Sequence, residues 1–284
     1  MNSFKFENHA TIAERHPDLF RPDWWRRSKI TIVFGAAVGL FLFGIVQLDI
    51  PLHRLSDGML RLGGFLRLMV PPDPGSWAQA SIYLRALGET LSIAFLGTLG
   101  GALLALPVSL LAARNVVANR IIHFFTRRSL DTIRGVDTLI WALIWVGIVG
   151  LGPFAGILAV ICSDFGTFGK LFSEAIEAAD KKPVEGIQSA GGNHLHGVRF
   201  GLLPQVIPIL LSQVLYYFES NTRSATIIGI VGAGGIGLQL AEQIRVLEWQ
   251  RVSFLILLIL ITVSAIDWIS SKLRFAIIGR RAVA

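Results

Sequence analysis

The sequence is short of charge. Only 16% of its 284 residues are Asp, Glu, Lys or Arg, whereas 53% are hydrophobic, and the mean hydropathy is +0.61. Soluble globular chains carry about a quarter charged residues, so this balance excludes an ordinary soluble domain and predicts an integral membrane protein. Cysteine is nearly absent too. Cys162 stands alone, which excludes an intrachain disulfide, and its place in an apolar run reads as a small core residue. The usual marks of enzyme chemistry are missing: no H-E-x-x-H, G-x-S-x-G, C-x-x-C or Cys/His cluster. GTFGK (166–170) lacks the spacing and the Ser/Thr of a nucleotide-binding Walker loop. The chain is therefore expected to be no enzyme, to hold no metal or cofactor and to hydrolyse no ATP itself. His194 and His196, two apart, would fall on different faces of a helix and read as surface or partner contacts.

What is present is a series of long apolar runs. A polar tail, 1–29, ends in RPDWWRRSK, in which Trp24 and Trp25 beside Arg26, Arg27 and Lys29 suit an interfacial anchor. The polar tail shows no cleavable signal peptide, and the run after it is long enough to span. Spans are expected at about 30–48, 87–112, 136–150, 153–172, 205–231 and 253–271, six in all. Gly97 and Gly101 in the second have the small-xxx-small spacing of close helix packing. Gly150, Gly152 and Pro153 divide 136–169, which exceeds one bilayer thickness, although its first half is short for a crossing. Between the first two spans, Arg54, Asp57, Arg61 and Arg67 recur among apolar residues at helical spacing, predicting a surface-lying amphipathic helix over 52–69, ended by PPDPG. Residues 113–134 read as a basic loop and 238–252 as a polar stretch.

The formal charge of +7 raises the question of a nucleic-acid partner, and its distribution answers it. The tail, 113–134, 170–203 and the C-terminus hold nineteen Lys and Arg, and the alternate segments hold six. This is the positive-inside pattern, so both termini are expected in the cytoplasm and no nucleic acid is needed. The expected organisation is a cytoplasmic tail (1–29), a first span with its surface helix (30–84), a core (85–275) containing a loop at 183–204, and a short cytoplasmic tail (276–284).

Two glycine-rich stretches and one polar span carry the functional reading. EGIQSAGGNHLHGVRFGLLP (185–204) is a polar island. Pro183 suits a first helical turn, Gly191 and Gly192 supply the positive φ of a helix end, Asn193 can cap a second short helix, and Pro204 opens the next span. GAGGIG (232–237) matches G-x-G-x-x-G, but it lies between two spans without a βαβ context, so a flexible turn at the outer mouth is expected instead of a dinucleotide site. Its glycines, Gly232, Gly234, Gly235 and Gly237, are a candidate gate. Arg223 lies inside the fifth span, where a charge is costly and marks a functional candidate. It can face an anionic solute, or it can pair with Glu219 four residues earlier. Ser220, Asn221, Thr222, Ser224 and Thr226 make a polar band around it, suited to a translocation path. Glu89 and Asp164 are pathway or buried structural groups, and Asp267 belongs at the interface.

The island resembles the EAA loop of ABC-importer permeases: E-A-A, three residues, Gly, nine residues, I-x-L-P. Glu185, Gly191, Leu203 and Pro204 fall in register, with Gly186, Ile187 and Gly201 as departures. A plain helical hairpin is the alternative. ETLSIAFLGTLGGALLALPVSLLAARN (89–115), the 134–135 RG pair with WALIWVGIVGLGPFAGILA (141–159), GKLFSEAIEA (169–178) and FESNTRSATIIGIVGAGGIG (218–237) narrow the likeness to phosphonate-type importer permeases over roughly 85–275. Cys162-Ser163-Asp164 departs from that family's His-Thr-like residues. The resemblance implies an all-α type I permease fold of about six transmembrane helices in the bacterial inner membrane. It implies a homodimer, with two cytoplasmic ATPase subunits that carry ATP and Mg, and a periplasmic phosphonate-binding protein. It also implies alternating access coupled through 185–204, with Glu185, Gly191, Gly192, Asn193, Leu203 and Pro204 as the coupling loop. Arg223, Ser220, Asn221, Ser224 and Asp164 are then the candidate solute path. Phosphite or hypophosphite is the alternative solute. Methionine- or amino-acid-type permeases share the architecture, and a membrane enzyme acting on lipid or phosphate esters is a further reading for which no convergent catalytic set is present.

Overall fold

The computed structural model describes residues 24–48, 52–117 and 119–279. The tail before Trp24, the side chains of 24–27 and 52–56 (the tryptophan–arginine anchor and Arg54 among them), and residues 280–284 lie outside that description. All regular structure among the described residues is helical. Two compact units are formed, one up to Gly64 and one from Phe65 onward.

The first unit holds α1 (Trp24–Gln47) and most of α2 (Leu52–Leu68). Its run Ser28–Gln47 is apolar enough to cross a membrane and has no buried residue, so its side chains are available to lipid. The stretch 52–69 is helical as expected, as α2, and it stops just before Pro71 and Pro72, which lack the N–H a helix needs.

In the second unit, α3 (Trp77–Ala112) is 36 residues long, ten residues more at its start than the expected span. Ser76 and Gln79 explain the extension: Ser76 Oγ accepts from the Gln79 backbone N–H, and the Gln79 side chain accepts from Ser76 N–H, a closed capping box. The expected basic loop is a helix, α4 (Arg120–Arg134), started by Asn119, whose side chain accepts from the N–H groups of Ile121 and Ile122. Next, α5 (Thr138–Val149) has 12 residues, about 18 Å, too short to cross about 30 Å of hydrocarbon alone. It makes an 84° bend with α4. The expected third span is therefore a broken element made with α4, and the spans number five, or six if that bent pair counts as one.

Gly150 and Gly152, both at positive φ, turn the chain into α6 (Pro153–Glu177), with Pro153 in the first turn. The island follows as α7 (Lys182–Ser189), one turn α8 (His194–His196) and a π-helical turn, 197–202. These lead without a break into α9 (Leu203–Ile230). The supposed polar stretch contains α10 (Ile236–Arg245), and α11 (Trp249–Ile278) closes the chain, longer at both ends than the span expected at 253–271.

The core forms where α3, α6 and α9 meet. Gly97 and Gly101 sit on Val160 and Asp164 so closely that a Cβ would lie 2.5 and 2.7 Å from theirs. Phe168, Phe172, Ile176, Leu202 and Val206 fill one end of the bundle and Tyr83, Ala86, Ile236 and Leu255 another. At that second end, the segment leaving α2 is fixed to α11. Ser253 Oγ donates to Met69 O at 2.6 Å, Asp73 N–H to Gln250 O at 3.2 Å, and Phe65 meets Trp249 edge-on.

Candidate functional site

The island is built from its own backbone. In α7, Pro183 occupies the first turn, and the helix ends at Gly191, whose φ of +89° admits few other residues. Gly191 N–H donates to Gln188 O and Gly192 N–H to Ile187 O, which is the Schellman closure. Gly192, expected to share the positive φ, has a different need: a Cβ there would lie 2.8 Å from Ile187 O. Asn193 accepts from His196 N–H, and the His196 ring accepts in return from Asn193 N–H, so this histidine acts as a cap. His194 Nε2 lies 3.3 Å from Val116 O. A carbonyl only accepts, so the contact is a hydrogen bond in the tautomer that carries the proton on Nε2. Among the described residues no group of three His, Cys, Asp or Glu could hold a metal ion.

No residue of α7 is buried. The helix lies across the π turn, where a Cβ on Gly201 would be 3.0 Å from the Val184 backbone. Gly201, which stands where the resembling motif has isoleucine, is thus what lets α7 approach. A groove of about 270 Å³ opens beside it, lined by Asn115, Asp180, Val184, Glu185 and His194 among others.

The polar stretch of α9 divides into two environments. Asn221 is buried, and its side-chain amide donates to Asp164 Oδ2 at 2.6 Å and to Thr98 Oγ1 at 2.8 Å, joining α9, α6 and α3. Asp164 is 3% exposed, so these two candidates for the solute path are buried within this chain. Thr98, which the sequence reading passed over, completes the knot. Hydrogen bonds between membrane helices contribute about 0.6–1.7 kcal/mol each.

Arg223 faces the other way. Its guanidinium is 47% exposed and lies 3.3 Å from Glu219 Oε1, while Arg274 of α11 reaches Glu219 Oε2 at 3.1 Å. The pair legible in the sequence is therefore a triad. One carboxylate answers two guanidinium groups, leaving a net positive charge at the exposed member. Arg274 gave no sequence signal, being 55 positions from Glu219. Ser220 is half-buried. Ser224 lines a small cavity of about 120 Å³ with Asp137 and Thr138.

The 232–237 glycine turn is packed. Gly232, Gly234 and Gly235 have φ of +98°, +81° and +75°, and all residues from 232 to 237 are buried. Gly152 N–H donates to Gly232 O, and Gly234 sits against Pro153. The start of α10 is capped from another helix: Glu89 accepts from Gly235 N–H and Thr90 Oγ1 from Ile236 N–H. Glu89 therefore has a structural contact, and the expected free turn is a close-packed one.

Known proteins share this arrangement. Residues 105–275 match the model of the family described as binding-protein-dependent transport system inner membrane component. The chain is 39% identical over 233 residues to HtxC of Stutzerimonas stutzeri, named for a phosphite transport system permease, with 82% of each chain covered. It is 50% identical over 117 residues to PhnE2 of Escherichia coli K12, named for a cryptic phosphonate transport system permease, covering 41% of this chain and 96% of that one. The inward-facing MetNI methionine ABC transporter has the same fold, with a TM-score of 0.63 at 21% identity over 72% of this chain and 99% of that one. With 60% of its length in the family match, this chain belongs to the inner-membrane components of binding-protein-dependent ABC importers.

Proposed function

We propose that this chain imports a small phosphorus oxyanion, phosphonate or phosphite, as the membrane half of an ATP-driven transporter. Two copies, two cytoplasmic ATPase subunits and a periplasmic binding protein would make the working complex, with both termini on the cytoplasmic side, the orientation that the positive-inside count favours. The observation that carries the solute class is the Arg223–Glu219–Arg274 triad, which leaves uncompensated positive charge on the half-exposed Arg223. An anion suits that site, and the names of HtxC and PhnE2 narrow the anion to phosphorus. ATP-driven closure would act on α7 and the 185–204 loop and reach the solute path through α9, which continues the loop without a break. Residues 232–237 would form the outer gate.

The test is ATP hydrolysis by the reconstituted complex, titrated separately with methylphosphonate, phosphite, phosphate and methionine. Stimulation by methylphosphonate or phosphite, abolished when this chain is omitted, is the expected result. Arg223→Ala should lower that stimulation at least tenfold with folded yield unchanged. Stimulation by methionine alone would overturn the solute. If Arg223→Ala and Glu219→Ala both act only by lowering folded yield, the triad is structural.

A further inference from the structure

A second cationic site lies away from α9. We infer that a pocket between the end of α3 and the start of α4 binds the phosphate of an anionic membrane lipid. The pocket has a volume of about 520 Å³ and is lined by Arg114, Val117, Arg120, His123 and Phe124. Its depth follows from the fold. Arg114 comes two residues after Ala112, where both α3 and its apolar stretch, 87–112, end, which places the pocket at the step from hydrocarbon to the headgroup layer.

The charges around it are distributed unevenly. Farther along α4 and on α6, Arg127 pairs with Glu177, and Arg128 and Lys170 share Asp131. Among the described residues the guanidinium group of neither pocket arginine has a carboxylate within 4.0 Å. Arg114 is also pre-oriented. Its backbone N–H donates to Glu177, and its Nε–H donates at 3.1 Å to Nε2 of the buried His123. Both terminal nitrogens of its guanidinium therefore remain for a ligand, in the fork that suits phosphate oxygens.

The neighbouring surface selects a lipid over a free ion. On α4, Ile121, Ile122 and Phe125 are 68%, 44% and 64% exposed. At helical spacing they share a face turned away from the charged edge. A helix with one basic edge and one bare apolar face suits the membrane interface, where acyl chains cover the apolar side and anionic headgroups meet the basic one. The inference does not depend on which solute is carried.

The experiment uses the full-length chain purified in detergent, titrated with phosphatidylglycerol, phosphatidylcholine or inorganic phosphate, and read by native mass spectrometry and thermal unfolding. Phosphatidylglycerol should bind and stabilise preferentially. Arg120→Gln should weaken that binding about fivefold, since each basic residue at an anionic surface contributes about 1 kcal/mol, and Arg114→Gln with Arg120→Gln should remove the preference. Among the described residues the Arg120 side chain has no hydrogen bond or ion pair, so the single variant tests the site even where the double one unfolds. Lys181→Gln with Lys182→Gln removes equal charge elsewhere and should leave the preference intact. Equal binding of the two lipids, an equal effect of inorganic phosphate, or an unchanged preference in Arg120→Gln would overturn the inference. So would a dependence on Arg114 and Arg120 seen only when an ATPase partner is present, which would identify a protein contact instead.

Discussion

Glycine breaks this chain at 191–192 and again at 232–237, and the two places use it for different reasons. At Gly191 the need is conformational: φ is +89°, and a Cβ would meet nothing within 4 Å. At 232–237 the need is also steric. A Cβ on Gly234 would lie 2.8 Å from Pro153 N, and one on Gly237 would fall onto the carbonyl of Thr226. The first turn is exposed and meets only its own helix, through Gly192 against Ile187 O, and the second is a junction where four segments close on one another. Read as sequence, both are simply glycine-rich.

Substitutions can break this contrast. Gly237→Ala should have the largest effect. Its neighbours are backbone atoms that cannot move aside, so overpacking should cost about 3 kcal/mol, seen as lost monodisperse protein on size exclusion. A variant of normal yield and melting temperature would show that the junction is loose. Gly191→Ala should cost about 1–2 kcal/mol from the left-handed backbone, confined to the exposed loop. Folded yield should hold while solute-stimulated ATP hydrolysis falls; unchanged stimulation would remove the loop from coupling. Thr90→Val keeps shape but deletes the acceptor for Ile236 N–H, and should destabilise by about 1 kcal/mol, with faster amide exchange at the start of α10. The smallest effect belongs to Gly186→Ala. No neighbour lies within 4 Å of that position, and α7 should gain up to about 1 kcal/mol of helix propensity, measurable as protection from proteolysis within the loop.

The sequence made the long apolar spans legible because membrane hydropathy and positive-inside charge are local signals. It also made the island legible, since Pro183, Gly191 and Asn193 each act within a few residues. Elements that mix charge with apolar residues were not read as helices: α4, with its five arginines in or beside it, was read as a basic loop, and α10, with Gln239, Glu242 and Gln243, as part of a polar stretch. Their helicity rests on caps and tertiary contacts that hydropathy does not register. The ten extra residues of α3 were announced by Ser76 and Gln79, but Arg85 and Glu89 obscured the continuity. At the site, Glu219 and Arg223 were legible because they lie one turn apart. Arg274, Thr98 and the cap from Glu89 and Thr90 were not, because each contact joins residues at least 55 positions apart and spacing carries no trace of it. Asp164 and Asn221 were legible as polar groups within spans, but their burial against Thr98 was not, because packing decides exposure.

The length of α3 has a mechanical consequence. At 36 residues it is a rod of about 54 Å, well beyond the hydrocarbon thickness of about 30 Å. Thr90, which holds the first amide of α10, lies about 33 Å along that rod from Ala112. Each degree of tilt about the Ala112 end would therefore sweep the 232–237 junction sideways by about 0.6 Å, so a small angular change at one end of the helix would be geared up into a displacement along it.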